Sequence, residues 1–311
     1  MTGEDLAGGP RCGFVALLGA PNTGKSTLAN ALTGAKVSIV SPKVQTTRTR
    51  VLGIVMVGSG PEATQVILVD TPGIFEPKRR LDRAMVAAAW QGAADADLIA
   101  LLVDARRCAR QTDADTAGII DGLVREKRGA ILLLNKIDLL KRDRLLAIAD
   151  RMNGEGPFTE TFMISALTGS GTGDVLAHCA AHLPAGPHLF PEDQLSDMPE
   201  RLLAAEITRE KLYLRLYREL PYALTVETEK WEELRDGSVR IEQTVYVRRD
   251  SQKSIVLGKG GQQIGKIGEA AREELETLLD RRVHLFLFVK VRDRWQDDPA
   301  RYREWGLEFP A

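Results

Sequence analysis

The chain has 311 residues, with 42 lysines and arginines against 43 aspartates and glutamates, a formal net charge of −1 at pH 7 and 44% hydrophobic residues. This length predicts two domains, and the composition excludes a wholly disordered or collagen-like chain, because it offers enough apolar surface for ordinary cores. The balanced charge argues against a protein that coats nucleic acid by bulk electrostatics, although it leaves room for a local basic surface.

Cysteine usage and the start of the chain indicate the cellular compartment. The three cysteines, Cys12, Cys108 and Cys179, are an odd number without CxxC spacing, which is typical of a reducing compartment. The first residues lack a basic segment followed by an apolar core, so they do not resemble a secretory signal. Every apolar run is far shorter than the roughly 20 residues that span a bilayer. We therefore expect a cytoplasmic protein.

The first part of the chain alternates short apolar runs with helical patterns. The predicted strands are at 13–18, 66–69, 98–103, 130–134 and 161–164, and the predicted helices at 25–33, 81–91 and 113–125, with a further helix after each of the last two strands. This alternation predicts an α/β fold with a doubly wound, mostly parallel sheet.

A phosphate-binding motif lies between the first strand and the first helix. Residues 19–26 read GAPNTGKS, which fits GxxxxGK[ST]. In this context the backbone N–H groups and the helix N-terminus point at phosphate oxygens, the lysine bridges the β- and γ-phosphates, and the serine hydroxyl ligates Mg²⁺. The residues predicted to hold the phosphates are Gly19, Ala20, Pro21, Asn22, Thr23, Gly24, Lys25, Ser26 and Thr27.

A second nucleotide element follows the second predicted strand, which ends in Asp70, Thr71, Pro72 and Gly73. Asp70 is expected to hold Mg²⁺ directly or through water, and the Gly73 N–H to sense the γ-phosphate. Ile74 stands where Ras-like enzymes have a glutamine that orients the attacking water. Water activation must therefore come from elsewhere, and we expect slow intrinsic turnover.

The choice of base is predicted from the sequence after the fourth strand. Asp138 can accept two hydrogen bonds from guanine that adenine does not offer, and leaving a buried carboxylate unpaired costs about 1 to 3 kcal/mol. Asn135 would brace the loop, and the Lys136 stem would lie along the base. After the fifth strand, a backbone N–H near Ser165 or Ala166 could reach the guanine oxygen. The pattern predicts GTP rather than ATP.

These motifs, in this order, are those of translation-factor-type GTPases, which leaves one further element to find. Residues 45–48 read QTTR, and in the resembling bacterial GTPases the threonine before the arginine closes over Mg²⁺. That threonine maps to Thr47, with Thr46 second, and the alternative is an exposed polar loop. Asn22 resembles an asparagine that binds potassium in some of these proteins; its alternative role is that of a turn residue. The predicted catalytic group is Lys25, Thr47, Asp70 and Gly73.

The pattern changes after a proline-rich segment at 185–199. A helical stretch at 200–219, strands at 222–231 and 239–249, a GxxG turn, a helix to about 280 and a strand at 283–291 predict a small α+β domain. A GxxG turn between helices lets a nucleic-acid backbone approach closely, as in KH domains. The order resembles a type II KH domain, and this resemblance makes 255–257 helical. The turn residues are Gly258, Lys259, Gly260 and Gly261.

Basic residues cluster near this turn, where they predict an RNA-binding face. The alternative is an ordinary solvated surface. The candidates, besides Lys259, are Arg248, Arg249, Lys253, Lys266, Lys290 and Arg292.

Two lesser features have less specific interpretations. His178 and His182 have the i, i+4 spacing of a metal site, but no further ligand accompanies them and a helix end is the better interpretation. Trp295, Tyr302 and Trp305 could stack on bases, although such residues more often anchor a terminal segment.

Together the two halves resemble the Era family of ribosome-assembly GTPases over nearly the whole chain. The resemblance is carried by residues 19–27, 45–48, 70–73 and 135–138, by ELPY at 219–222, by GKGG at 258–261 and by VKVR at 289–292. It implies GTP and GDP with Mg²⁺, K⁺ as a candidate second ion, binding near the 3′ end of 16S ribosomal RNA in the pre-30S particle, and loose peripheral membrane association. We expect a monomer.

The sequence therefore predicts a doubly wound P-loop GTPase domain followed by a small α+β type II KH domain, acting as a GTP-hydrolysing RNA-binding switch. The alternatives are a signalling GTPase whose second domain binds protein, and an RNA-binding protein with a non-hydrolysing GTP site. The predicted segments are a flexible N-terminus (1–12), a G domain (13–184), a linker (185–199), a KH domain (200–294) and a C-terminal tail (295–311).

Overall fold

The computed structural model of the protein describes residues 9–309, in which the chain divides into two units. The first unit contains the chain up to Ser38, Thr47–Asp197 and the stretch from Tyr302 onwards; the second contains Ile39–Thr46 and Met198–Arg301. Residues 1–8 of the predicted flexible N-terminus, and 310 and 311 of the predicted tail, lie outside the described residues.

The first unit is built on a mostly parallel sheet with the strand order β2-β3-β1-β4-β5-β6, in which β2 is antiparallel to β3. Its strands are β1 (Arg11–Leu18), β2 (Val51–Val57), β3 (Thr64–Asp70), β4 (Leu98–Asp104), β5 (Ala130–Asn135) and β6 (Phe158–Met163). Its helices include α1 (Lys25–Thr33), α2 (Arg80–Ala94), α3 (Ala114–Arg125), α4 (Arg142–Glu155) and α5 (Thr172–His182). The predicted doubly wound fold is confirmed, with β2 as a strand that the sequence analysis did not predict.

The central strands of this sheet are buried along nearly their whole length, as expected when helices cover both faces. Leu101 and Leu132 form one core cluster with Ile119 of α3 and Ile148 of α4. Burying such an aliphatic side chain contributes about 2 kcal/mol relative to leaving it exposed. The parallel strands β1, β3, β4 and β5 all end at the same edge, so the loops that follow them converge there.

The proline-rich segment lies beside β2 and β3 of this unit. The buried Gln65 side chain of β3 accepts hydrogen bonds from the N–H groups of Leu189 (2.8 Å) and Phe190 (3.0 Å) and donates to the Phe190 carbonyl (2.8 Å). Further along, the Ile54 N–H of β2 donates to the Leu195 carbonyl at 2.9 Å. The segment is therefore hydrogen-bonded to the sheet.

The second unit consists of helices on one three-stranded sheet with the order β7-β8-β9, in which β7 and β8 are antiparallel and β8 and β9 parallel. Its main elements are α6 (Glu200–Arg215), β7 (Leu224–Glu233), β8 (Val239–Val247), α7 (Asp250–Leu257), α8 (Gln262–Leu279) and β9 (Val283–Val291). This is the predicted type II KH order, and the predicted helical state of 255–257 is confirmed.

The core of this unit lies between the helices and one face of the sheet. Leu212 of α6, Ile267 of α8 and Val245 of β8 belong to one buried cluster. Trp295, which follows β9, is fully buried and donates its indole N–H to the Ala223 carbonyl at 3.1 Å. This tryptophan therefore anchors the segment that follows β9. Tyr302, on the short helix α9 (Pro299–Glu304), and Trp305 after it are also buried, but they belong to the first unit.

The two histidines of α5 form a stacked pair with ring centroids 4.1 Å apart. Among residues 9–309, no group of three or more histidine, cysteine, aspartate or glutamate side chains is arranged to hold a metal ion. The interpretation of His178 and His182 as part of a helix end is therefore the one that the geometry favours.

None of the helices within residues 9–309 combines the length and the apolar character that crossing a bilayer requires.

Candidate functional site

The P-loop joins β1 to α1, and glycine is required at the start of that helix. Gly24 has a left-handed backbone (φ 104°), and a Cβ there would lie 2.3 Å from Nδ2 of Asn135. That same Nδ2 donates to the Thr23 carbonyl at 2.7 Å. The phosphate loop is therefore tied directly to the segment predicted to recognise the base.

Lys25 is buried at the first turn of α1. Its Nζ donates to the carbonyls of Gly19 (3.0 Å) and Ala20 (3.2 Å). Burial lowers the pKa of Lys25 to about 8, and the charge of Asp70 opposes this shift. An anionic phosphate group in the loop would offset the cost of burying the ammonium.

Three predicted metal ligands come together beside Lys25. The Ser26 hydroxyl donates to Asp70 Oδ2 at 2.7 Å and lies 2.8 Å from the Thr47 hydroxyl, which is 3.5 Å from the same carboxylate oxygen. Asp70 Oδ1 is buried and has no hydrogen-bond partner among the described residues. Hydroxyl and carboxylate oxygens are the ligands that Mg²⁺ prefers, so this cluster fits the ion.

The pKa of the one carboxyl group in this cluster, that of Asp70, is shifted in the direction that a bound cation would reverse. Burial raises the pKa of Asp70 above its ordinary value, while the Ser26 hydrogen bond and the Lys25 charge oppose the shift. A bound divalent cation would favour the ionised form.

The geometry also distinguishes the two threonines that the sequence offered as metal ligands. The Thr46 hydroxyl donates to the Lys43 carbonyl at 2.7 Å and lies 2.5 Å from the Ser41 hydroxyl. It is therefore engaged within its own loop. Thr47 reaches the cluster, and the geometry favours it over Thr46.

The segment after β3 can offer a ligand its backbone N–H groups rather than polar side chains. The Thr71 hydroxyl is fully buried and donates to the Leu17 carbonyl at 2.7 Å, so it supports the strand end instead of facing a ligand. Pro72 is buried as well. Ile74 donates its N–H to Gly19 (3.1 Å) and buries its side chain in the core, so it offers no polar group to an attacking water.

The base-recognition loop after β5 is braced by Asn135. Its Oδ1 accepts the N–H groups of Lys136 (2.8 Å) and Ala166 (2.9 Å), so the Ala166 amide is engaged here. The Ser165 amide donates to the Ser170 carbonyl. Asp138 is exposed in the short 3₁₀ turn that follows, which leaves its carboxylate open to a ligand.

One residue of this site was missed by the sequence analysis. Asp104, at the carboxyl end of β4, binds Lys136 Nζ at 2.6 Å, and the same ammonium donates to the Asn22 carbonyl at 2.7 Å. The signal was present, since a carboxylate at the end of a buried parallel strand lies at the ligand edge of the sheet. Asn22 itself has a left-handed backbone (φ 65°) and is exposed.

The GxxG turn of the second unit lies between α7 and α8. Gly258 has φ 71°, and a Cβ there would lie 2.6 Å from the Cβ of Gln263, so no other residue fits without a shift. Lys259 and Gly260 are exposed, and Gly261 is the N-cap of α8. The positive end of an 18-residue helix is thus open to a phosphate.

The predicted basic residues differ in how they are paired. Within residues 9–309, no ion pair involves Lys253, Lys259 or Lys266 of the α7–α8 region, nor Arg248 or Arg249 before it. By contrast, beside β9, Lys290 lies 4.0 Å from Glu229 and Arg292 lies 3.0 Å from Asp298. The unpaired positive charges therefore lie around the GxxG turn.

A phosphate loop, a metal-fitting cluster and an exposed aspartate after β5 lie on a doubly wound sheet, and a unit with a GxxG turn follows them in the chain. These features define a P-loop GTPase joined to a type II KH domain. Two family models agree with this class: one described as a 50S ribosome-binding GTPase matches residues 14–136, and one described as a KH domain matches residues 219–296. Whole-chain comparisons identify the family. The chain is 59% identical to the GTPase Era of Afipia carboxidovorans over 307 residues, which is 99% of this chain and 97% of the relative. It belongs to the Era family of GTPases.

Further comparisons agree over nearly the whole chain. The GTPase Era of Rhizobium meliloti is 59% identical over 312 residues, covering 99% of this chain and 97% of that protein. A crystal structure of an Aquifex aeolicus Era variant bound to GDP and AlF₄⁻ matches with a TM-score of 0.88 and 38% identity, over 95% of this chain and 99% of that one. A structure of Era with MgGDPNP and nucleotides 1506–1542 of 16S ribosomal RNA matches with a TM-score of 0.88 and 39% identity, over 95% and 98%.

Proposed function

We propose that this GTPase binds 16S ribosomal RNA near its 3′ end and assists assembly of the small ribosomal subunit as a nucleotide-controlled switch. The observation that carries the proposal is that this chain is similar, over 95% of its length, to an Era structure holding MgGDPNP and nucleotides 1506–1542 of 16S ribosomal RNA. The phosphate loop and the GxxG turn described above support it. In this proposal residues 13–184 bind the nucleotide, 200–294 bind the RNA, and 185–199 and 295–311 connect and anchor them.

For the nucleotide, the chain supplies binding and charge. The loop N–H groups and Lys25 would bind the phosphates, Gly73 would sense the γ-phosphate, and Asp138 would select guanine. Ser26, Thr47 and Asp70 would hold Mg²⁺, which when bound neutralises charge on the β- and γ-phosphates. Because Ile74 buries its side chain, no side chain at that position orients water, and we expect slow turnover.

The finer proposal concerns a second ion. Asn22 is exposed on the P-loop, where a K⁺ ion could supply the positive charge that other GTPases take from an arginine. Hydrolysis rates measured in KCl and in NaCl test this: a higher rate in KCl is expected, and equal rates would contradict it.

For RNA, the GxxG turn and the N-terminus of α8 would bind the backbone, with unpaired lysines contributing charge. The proposal extends to a cytoplasmic monomer that associates with pre-30S particles and loosely with the membrane surface. Sedimentation of a cell lysate on a sucrose gradient checks the particle, since the protein should migrate with precursors of the small subunit. A membrane pellet washed in high salt checks the surface association, because a peripheral protein is released.

The decisive experiment separates the RNA site from the nucleotide site. The double variant Gly258→Asp and Gly261→Asp places two carboxylates in the turn, so binding to a 16S 3′-end fragment should be lost while GTP hydrolysis is retained. Unchanged RNA affinity would favour the alternative of a protein-binding second domain. Phosphate release by the unmodified protein should exceed that of Lys25→Ala, and equal release would favour a non-hydrolysing site.

A further inference from the structure

Three consecutive carbonyl groups of the P-loop accept hydrogen bonds from side chains of other loops in the first unit. They are the carbonyls of Pro21, Asn22 and Thr23. Two of the donors, Lys136 and Asn135, follow β5, and their hydrogen bonds to this loop are both 2.7 Å long. The third donor is Arg107, in the loop between β4 and α3, whose Nη1 lies 3.3 Å from the Pro21 carbonyl oxygen. The P-loop is therefore held from two separate loops.

Holding a carbonyl also orients the N–H group of the same peptide bond. A peptide bond is planar and trans, so its C=O and its N–H point in opposite directions. The Pro21 carbonyl shares its peptide bond with the N–H of Asn22, and the N–H groups of such a loop are the groups that bind phosphate oxygens. Arg107 therefore sets the direction of the Asn22 N–H, which points away from it.

The backbone of Asn22 is of a kind that needs restraint. Its φ of 65° is left-handed, which is uncommon outside glycine even though asparagine adopts it more readily than most residues. Such a backbone persists where the surrounding structure holds it. Here Arg107 holds the peptide bond before Asn22 and Lys136 holds the one after it. The two cations together restrict both backbone dihedral angles of this residue.

The Arg107 guanidinium is itself held by two carboxylates at the start of α3. Its Nη2 donates to Oδ1 of Asp113, the N-cap residue, at 2.8 Å and lies 3.6 Å from Oδ2 of Asp115 in the first turn. A guanidinium presents several N–H groups in a fixed plane, so it can bind a carboxylate and a carbonyl at once. Arg107 is therefore a bridge between α3 and the P-loop.

The backbone of Arg107 is connected to the second cation as well. Asp104, at the end of β4, is buried and accepts the Arg107 N–H through Oδ1 at 3.2 Å. Through Oδ2 it accepts the Lys136 ammonium at 2.6 Å. One carboxylate thus places both cations that flank Asn22.

We propose that Arg107 is a positioning residue for nucleotide binding: by bridging α3 and the P-loop, it holds the peptide bond between Pro21 and Asn22 in the orientation that presents an N–H to a phosphate. This rests on the proposed function, because it takes the P-loop to bind the phosphates of GTP and GDP. Since both nucleotides place phosphates in this loop, Arg107 contributes to the affinity for each. It acts by fixing the loop and not by its charge.

The test measures the affinity of the full chain for fluorescent GDP and fluorescent GDPNP by equilibrium titration. Arg107→Gln removes the bridge at a position that is partly exposed, with 38% of the side chain accessible, so the fold should be retained. We expect the affinity for both nucleotides to fall about fivefold, as for the loss of one hydrogen bond. Unchanged affinity for both would overturn the proposal.

A second variant separates positioning from charge attraction by the sign of its effect. Asp113→Asn removes the carboxylate that binds Arg107 and keeps a residue that caps α3 equally well. If the arginine attracted phosphate by its charge alone, removal of a neighbouring negative charge would raise nucleotide affinity. We expect a fall of about threefold instead, smaller than in Arg107→Gln because Asp115 still faces the guanidinium. An affinity equal to that of the unmodified protein, or above it, would contradict the bridge.

A matched control and an independent readout complete the test. Arg106→Gln removes the same charge from the preceding exposed position of the loop and should leave both affinities unchanged. A loss there equal to that in Arg107→Gln would assign the effect to net charge and overturn the proposal.

Hydrogen exchange of the nucleotide-free protein reports on the loop directly. Amides in 19–24 should exchange faster in Arg107→Gln than in the unmodified protein, while those of α3 keep their protection. Unaltered exchange of 19–24 would also overturn the bridge. Failure of the unmodified protein to bind either nucleotide would instead overturn the proposed function.

Discussion

The P-loop and the GxxG turn both place the N-terminus of a helix where a phosphate is expected, yet they are built differently. The P-loop buries its lysine and is tied by Asn135 to the neighbouring loop. The GxxG turn leaves Lys259 exposed between two helices. A buried, braced loop suits one nucleotide held in one geometry, whereas an open turn suits a polymer whose backbone must be bound and released.

The largest effect should come from disturbing the braced loop. Gly24→Ala places a methyl group 2.3 Å from Asn135 Nδ2 on a left-handed backbone, which combines a clash with strain of about 1 to 3 kcal/mol. We expect GTP affinity to fall at least about 100-fold in an equilibrium titration, which is the loss of about 3 kcal/mol. Binding of the 16S fragment in the absence of nucleotide should be unchanged.

The control for this variant is Gly34→Ala at the other end of α1. Gly34 is also left-handed (φ 67°), but a Cβ there meets nothing within 4 Å. Only a modest loss of stability, about 1 kcal/mol, is expected, with GTP affinity retained. Similar losses of affinity in both variants would mean that backbone strain, not the tie to Asn135, governs the loop.

The buried lysine predicts a pH effect in the nucleotide-free protein. Because the folded-state pKa of Lys25 is lowered to about 8 from an ordinary value of 10.5, the unfolded chain binds more protons between these values, and stability rises with pH there. The rise attributable to Lys25 amounts to about 3 kcal/mol across the whole interval.

Urea unfolding of the unmodified protein and of Lys25→Met at pH 8 and pH 9.5 measures this contribution. The free energy of unfolding should increase more with pH in the unmodified protein than in the variant. Parallel profiles would show that the ammonium is solvated and that the loop is less closed than its geometry indicates.

We expect the affinity of the GxxG turn for RNA to depend on the positive charges beside it. Lys259→Ala with Lys266→Ala removes two unpaired cations beside α8, and we expect RNA affinity to fall about tenfold and the salt dependence to flatten by roughly 0.7 per lost contact. Filter binding at several salt concentrations measures both. Lys290→Ala with Arg292→Ala is the matched pair, and its effect should be smaller because these cations already face Glu229 and Asp298.

The smallest effect concerns the ion pair between Asp104 and Lys136, which braces the nucleotide site and has no counterpart at the GxxG turn. Asp104→Asn keeps the shape and removes the charge that holds Lys136, a pair that is partly exposed. Such pairs contribute up to about 1 kcal/mol, so GTP affinity should fall about threefold in the same titration. A loss beyond about tenfold would show that Asp104 orders the base loop as a whole.

The nucleotide-binding loops could be predicted because each contains a short sequence motif that directly follows an apolar run. Thr47 and Thr46 could not be separated in that way, since the choice depends on where Ser41 and Lys43 lie in the folded loop. The strand β2 was missed because its continuous apolar run follows a polar loop without a motif to mark it.

The second unit was predicted from the order of its elements and its GxxG turn rather than from hydrophobic periodicity. Residues 255–257 are apolar and alone are compatible with a strand, but the GxxG turn that follows requires a helix before it. The predicted basic face could only be sorted after folding, since the pairing of Lys290 with Glu229 joins positions on different strands.

The hydrogen bonds that the proline-rich segment makes with β2 also bear on solubility. β2 is an edge strand of its sheet and has the apolar sequence VLGIVMV. An exposed edge strand of this kind can pair with a strand of another chain. Leu195 and Asp197 occupy the N–H groups of Ile54 and Leu52 there. A nucleotide-binding fragment that ends at residue 184 would leave this edge of β2 uncovered and tend to aggregate. A fragment extended to Asp197 would keep the edge covered.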